Sequence, residues 1–199
     1  DTWNQEIVDA HRVAAWASGF KIEVLREDLG LGRGGLHTYF NNLYANVRSS
    51  NPNEYTMPEW FVYFCDDHCI EKDGWDLYLR SYIAERELDP DEVNIIVPKF
   101  DNAGAMNHVL SREFCRRLVG VGSHGWIDSY INELGKYIGD DKYHKPDTEL
   151  FHDFTHDEPS PMSDEHCKTN LSKEGEELPK YQSSEYKDLL RADAQRLID

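Results

Sequence analysis

The sequence predicts an all-α fold: a single-domain helical bundle with a polar, partly irregular C-terminal region. Three observations predict it. Apolar residues recur at helical spacing in six segments, no segment sustains a two-residue alternation, and 199 residues suit one domain. Apolar residues make up 39% of the chain and aromatics 12%, enough to build a core. Composition shifts after residue 139, so 1–139 read as the helical domain. Residues 140–199 read as a polar, Pro-containing extension that can dock on it.

In chain order, residues 3–29 carry a stripe of Ile7, Val8, Val13, Ala14, Trp16 and Ala17, with Gly19 dividing it into two helices. GLGRGG at 30–35 is a loop. It follows no strand and ends in no Lys-Ser/Thr pair, so it is neither a dinucleotide fingerprint nor a phosphate loop. Leu36–Val47 resumes as a helix with Leu36, Tyr39, Phe40, Leu43 and Tyr44 on one side, and Pro52 ends it. Pro58 and Glu59 suit a helix first turn, so Glu59–Lys72 reads as a helix; a strand of five or six residues is the alternative for its apolar run. Residues 75–88 form another helix after Gly74. DPDEVNIIVPKFDNAGA at 89–105 is a connection in which VNIIV is extended. Val109–Val121 and Trp126–Ile138 read as helices split at Gly122–Gly125, and a short helix over Lys187–Ile198 closes the chain.

The net charge of -17, from 38 acidic and 21 basic residues, argues against direct nucleic-acid binding. Cations, basic proteins or a metal-bridged anion are the partners it favours. No apolar run reaches the ~18 residues of a membrane span, and no secretory leader is expected at the N-terminus. Cysteines at 65, 69, 115 and 167 form no dense framework and read as reduced thiols of a cytoplasmic protein.

WFVYFCDDHCIE, residues 60–71, is the most informative stretch. An apolar run leads straight into two aspartates, which are costly to bury unless something positive meets them. On a helix, Asp66, Asp67 and Glu71 cluster at one end, with Val62 and Tyr63 one turn earlier as an apolar wall. A divalent cation relieves their mutual repulsion, and Mg2+ takes oxygen ligands together with substrate phosphates. A metal-held diphosphate at the mouth of an apolar pocket suits ionisation of a prenyl diphosphate.

These residues resemble the aspartate-rich DDxxxE motif of class I terpene synthases. AHRVAAWASGF at 10–20 is similar to the N-terminal helix of the microbial enzymes. SREFCRRLVGVGSHGWIDSYINEL at 111–134 is similar to a family helix pair in which an Arg-rich segment leads to a Tyr and a Glu. The resemblance covers about residues 5–140. It implies an all-α domain, Mg2+ held by Asp66, Asp67 and Glu71, a pocket lined by Val62 and Tyr63, and lyase or cyclase chemistry on a prenyl diphosphate. The family's second metal motif is not found. Asn46, Ser50 and Glu54 have its spacing but lie upstream with Pro52 between them, and Asn170 is followed four on by Glu174. The resemblance is thus to a truncated or degenerate relative.

Zinc is a lesser candidate. Cys65 and Cys69 are four apart around His68, with His152, His156, His166 and Cys167 as further donors, but no full signature results. No nucleophile elbow occurs. The alternative function is a non-enzymatic acidic interaction protein that binds a basic protein: an inhibitor, an immunity protein or a nucleic-acid mimic. GGLHTYFNN at 34–42 resembles a Gly-Gly-aromatic segment of small DNA-mimicking proteins. The two readings differ in where the carboxylates sit: an exposed stripe for a binder, a cavity lining for a diphosphate enzyme.

Overall fold

Trp60, Phe61 and Val62 form a strand, and this changes the fold class. The computed structural model describes residues 5–17, 36–51, 53, 57–64, 68–70, 72–100, 107–125, 127–153 and 183–199. Among them the order is α1 (Gln5–Ala17), α2 (Leu36–Ser50), β1 (Trp60–Val62), β2 (His68–Ile70), α3 (Trp75–Glu85), β3 (Ile95–Ile96) and β4 (Lys99–Phe100). There follow β5 (Val109–Ser111), α4 (Arg112–Leu118), α5 (Ile127–Ile138), β6 (Tyr143–His144), β7 (Glu149–Asp153) and α6 (Ser184–Ile198). The expected all-α bundle is overturned: the protein is mixed α/β, with a four-stranded sheet β1-β5-β3-β6 and a three-stranded sheet β2-β7-β4. The chain divides into two units, Asp1–Gly30 and Leu31–Asp199. The first holds α1, and the second holds every other element named here.

Register explains why the strand was hidden. In the four-stranded sheet Phe61 pairs with Leu110, Leu110 with Ile95 and Ile95 with Tyr143. One step along, Val62 pairs with Val109, Val109 with Ile96 and Ile96 with His144. Side chains alternate between faces of a sheet. Phe61, Tyr63, Ile95 and Leu110 therefore enter one core cluster with Tyr44 of α2, Phe114 and Leu118 of α4, Tyr130, Ile131 and Leu134 of α5, and Tyr186, Leu190 and Leu197 of α6. Trp60, Val62, Ile96 and Val109 enter a second cluster with Leu79 of α3, Phe100 of β4 and Phe151 of β7. Both faces of β1 are covered by apolar side chains. The period of two then leaves no polar trace, and a five-residue apolar run fits strand and helix alike.

α2, α3, α5 and α6 fall in segments read as helical, and β3 falls in the extended VNIIV. Two helical readings are corrected. The expected helix Glu59–Lys72 gives way to β1 and β2. The expected helix Val109–Val121 begins as β5 and is helical only from Arg112 to Leu118. Ser111 is the reason. It ends the strand and caps α4, its hydroxyl accepting the Phe114 N–H at 3.2 Å and the Asn94 N–H at 2.9 Å. α6 starts in the same way, with Ser183 Oγ accepting the Tyr186 N–H at 3.1 Å. From the stretch read as a polar extension, β6, β7 and α6 all contribute to the body, and Leu150, Phe151 and Tyr186 are buried.

Two buried carboxylates fasten α6. Asp193 is 1% exposed and accepts the Tyr130 hydroxyl at 2.9 Å and the Ser123 N–H at 3.0 Å, with Arg196 at 3.1 Å. Glu113 accepts Arg116 Nε at 2.5 Å and Arg117 Nε at 2.6 Å. Arg117 in turn donates to the carbonyls of Arg196 and Leu197, orphan acceptors at the end of α6. The Arg116 bond first, then Arg117, holds the Glu113 carboxyl below the usual carboxylate range against the opposing effect of its burial.

Candidate functional site

The residues singled out by sequence do not share one wall. Val62 and Tyr63 were expected side by side, one helical turn below the aspartates. Alternation along β1 sends Val62 to the α3 side and Tyr63 to the α5 side. Tyr63 is 6% exposed and packed among core side chains, with its ring 5.3 Å from that of Phe40. Asp66, Asp67 and Glu71 lie outside the described residues, as do Cys65, His156, His166 and Cys167. Backbone register places Cys69 opposite His152 and His68 opposite Asp153. Among the described residues no three His, Cys, Asp or Glu side chains converge as a metal site. The expected donors for Mg2+ therefore have no described geometry.

Tyr63 instead opens a polar network that sequence reading missed. His108, just before β5, is fully buried, and its Nδ1 lies 2.9 Å from the Tyr63 hydroxyl oxygen. That hydroxyl donates to Asp128 Oδ1 on α5. His108 Nε2 lies 2.9 Å from Asn132 Oδ1, one turn further along α5, and Asn132 Oδ1 also accepts the Tyr143 hydroxyl of β6. The Asp128 side chain is 36% exposed and marks the outer end, 3.9 Å from His108 Nδ1. Burial lowers the His108 pKa, while Asn132 and Asp128 pull it back up. Asp128 and Asn132 are four apart on α5, but nothing in the sequence ties them to His108 or Tyr63; only the sheet does.

The exposed carboxylates gather elsewhere. β3 and β6 run parallel, so the turns leading into them lie at one end of the sheet. Asp89, Asp91 and Glu92 lie in the turn before β3, and Asp140 and Asp141 in the turn before β6; all are exposed. Lys142 meets Glu92 at 2.7 Å, Arg112 meets Asp91 at 2.8 Å, and Arg86 lies over the Tyr82 ring at 5.3 Å. Carboxylates outnumber these cations along the rim, and the acidity remains in the open, facing solvent.

No family model matches the chain, and no characterised protein or solved structure shows detectable similarity to it. No helix among the described residues is long and apolar enough to cross a membrane.

Proposed function

We propose that this chain is a non-enzymatic acidic interaction protein that binds a basic protein surface. One observation carries the reading. The β3–β6 pairing brings together the exposed carboxylates of the two turns that lead into it, Asp89, Asp91, Glu92, Asp140 and Asp141. A carboxylate row on a rigid sheet end steers a cationic partner and sets its orientation, and salt weakens the attraction. Tyr63, expected in a substrate pocket, supports the same reading because the core occupies the space around it. The proposal places the chain in a cytoplasmic compartment, in keeping with the free thiol of Cys115. The rival is Mg2+-dependent binding of a prenyl diphosphate at Asp66, Asp67 and Glu71, now without its all-α frame.

An immobilised arginine-rich peptide tests the two. The rim variant Asp89→Asn, Asp140→Asn, Asp141→Asn should bind at least about tenfold more weakly than wild type at physiological salt. A control with the same charge change, Glu6→Gln, Glu185→Gln, Asp188→Asn, should bind nearly as wild type. Equal losses in the two variants would mean bulk charge and sink the rim. Calorimetry with Mg2+ and a prenyl diphosphate should give no heat. A heat that disappears in Asp66→Asn with Asp67→Asn would establish the rival.

A further inference from the structure

We propose that the Tyr82 ring and the Asp147 carboxylate form a seat for one arginine side chain of the basic partner, and that Arg86 fills this seat until the partner displaces it. The seat lies beside the acidic rim, and its role rests on the binding reading given above. Tyr82 and Arg86 are one turn apart at the end of α3. Arg86 caps the helix, and its N–H donates to the Tyr82 carbonyl at 3.2 Å. Its guanidinium carbon is 5.3 Å from the centre of the Tyr82 ring. The exposed carboxylates Glu85 and Glu87 flank Arg86 in sequence, and Asp89 follows, yet among the described residues its guanidinium makes no ion pair. The charge rests on the ring, so those carboxylates keep their capacity for a cation from outside.

The ring is held in place. Tyr78, one turn earlier on α3, stacks on it at 6.4 Å between centres, Lys72 lies 5.6 Å from the Tyr78 ring, and both tyrosines pack against the second core cluster. Burial raises the Tyr82 pKa, Arg86 opposes it, and Tyr78 and Asp147 add to the rise. Asp147, exposed in the turn between β6 and β7, is thus within electrostatic reach of the same ring. The rim is near as well. Burial, then the charges of Arg86 and Lys142, lower the pKa of His144 on β6, and Asp141 opposes them, so Arg86 and the rim carboxylate Asp141 act on one imidazole.

A ring face with a carboxylate beside it suits a guanidinium better than an ammonium. The planar group stacks on the ring while its N–H donors turn outward to the carboxylate, whereas a lysine head is compact and strongly hydrated. Arg86 shows that the face accepts a guanidinium. It holds the place weakly, because side-chain pairs one turn apart on an exposed helix surface contribute little. A partner arginine that follows charges already caught by Asp89, Asp140 and Asp141 can therefore take the ring, and Arg86 moves aside.

The test uses the full chain and the arginine-rich peptide, followed by NMR and by fluorescence anisotropy at physiological salt. In the free protein the Tyr82 ring current should shift the Arg86 Hδ protons upfield, and saturating peptide should return them to their ordinary position. Arg86→Gln should tighten binding, and the gain should be on the order of two- to fivefold larger with Tyr82 in place than in a Tyr82→Leu background. A gain of equal size in both backgrounds would mean that only a repelling charge had been removed, and would overturn the proposal. So would Arg86 protons that stay shifted at saturation, a readout that needs no variant and decides the question if Tyr82→Leu does not fold. Binding that needs Asp89, Asp140 and Asp141 but leaves Arg86 on the ring would keep the rim and remove the seat. No binding by any form would remove both.

Discussion

Val119 ends α4 at φ 56, the left-handed region that a β-branched side chain rarely enters, and it is 51% exposed. Its side chain gains little from burial there, while its backbone is strained. Val119→Gly should therefore raise stability by about 1 kcal/mol, read as a shift in the urea midpoint. Gly120 next to it is the reverse case: at φ 128, an added Cβ would come within 2.9 Å of the Asn41 Cα. Asn41 there pairs with the chain, accepting the Val121 N–H at 2.8 Å and donating to the Gly122 carbonyl at 2.9 Å. Glu113 makes the stability depend on pH. Its folded pKa is lowered, so its contribution is present above the unfolded carboxyl value and lost as the pH falls through the folded one. Glu113→Gln should cost about 2 kcal/mol near neutrality and remove part of the acid-induced loss of melting temperature below about pH 4.5. A wild-type acid limb left unchanged by the variant would refute the role assigned to Arg116 and Arg117.

At the scale of elements, two-residue alternation organises β1. Phe61 and Val62 are neighbours in sequence yet belong to different clusters, so each should act with its own cluster. Phe61→Ala should cost about 3 kcal/mol and couple to Tyr44, whose ring lies 5.5 Å away. A double-mutant cycle of Phe61 with Leu79 of the other cluster should be additive. Coupling to Leu79 as strong as to Tyr44 would return residues 60–63 to a helix. The contact of α5 with β6 is closer still. The Tyr143 ring lies directly over Gly135, leaving no room for a methyl group. Gly135→Ala should destabilise by about 1–3 kcal/mol despite the better helix propensity of alanine, because the ring must shift. Thermal melts of that variant and of Gly135→Ala with Tyr143→Ala, which clears the space, would separate crowding from propensity.

At the scale of the molecule, α6 is part of the fold. Tyr186, Leu190, Ala194 and Leu197 are buried against α4 and α5, and Asp193 ties the helix to Tyr130 and Ser123. Each large apolar side chain buried is worth about 1.5–3 kcal/mol, comparable in sum to the whole stability of a domain. Deletion of residues 183–199 should leave a chain that no longer melts cooperatively by circular dichroism. A truncated protein with a sharp melt would make α6 an appendage. The same spectroscopy on the whole chain should show strand and helix together.

Composition and spacing by themselves determined the acidity of the surface, the abundance of apolar and aromatic residues for a core, and the positions of α2, α3, α5 and α6. The amphipathic 3.6-residue period and polar flanks write those helices into a single segment of chain. The sheet is not written that way. β1 is apolar on both faces, and β3, β4 and β6 are two residues long, so no periodicity distinguishes them until their partners are in place. The polar network follows the same rule. Tyr63, His108, Asp128 and Tyr143 come from four separate stretches, and only the pairing of β1 with β5 and of β3 with β6 brings their hydrogen bonds within reach. Local sequence carries local geometry, whereas strand pairing is a contact between distant segments, and its energy exists only once both are folded.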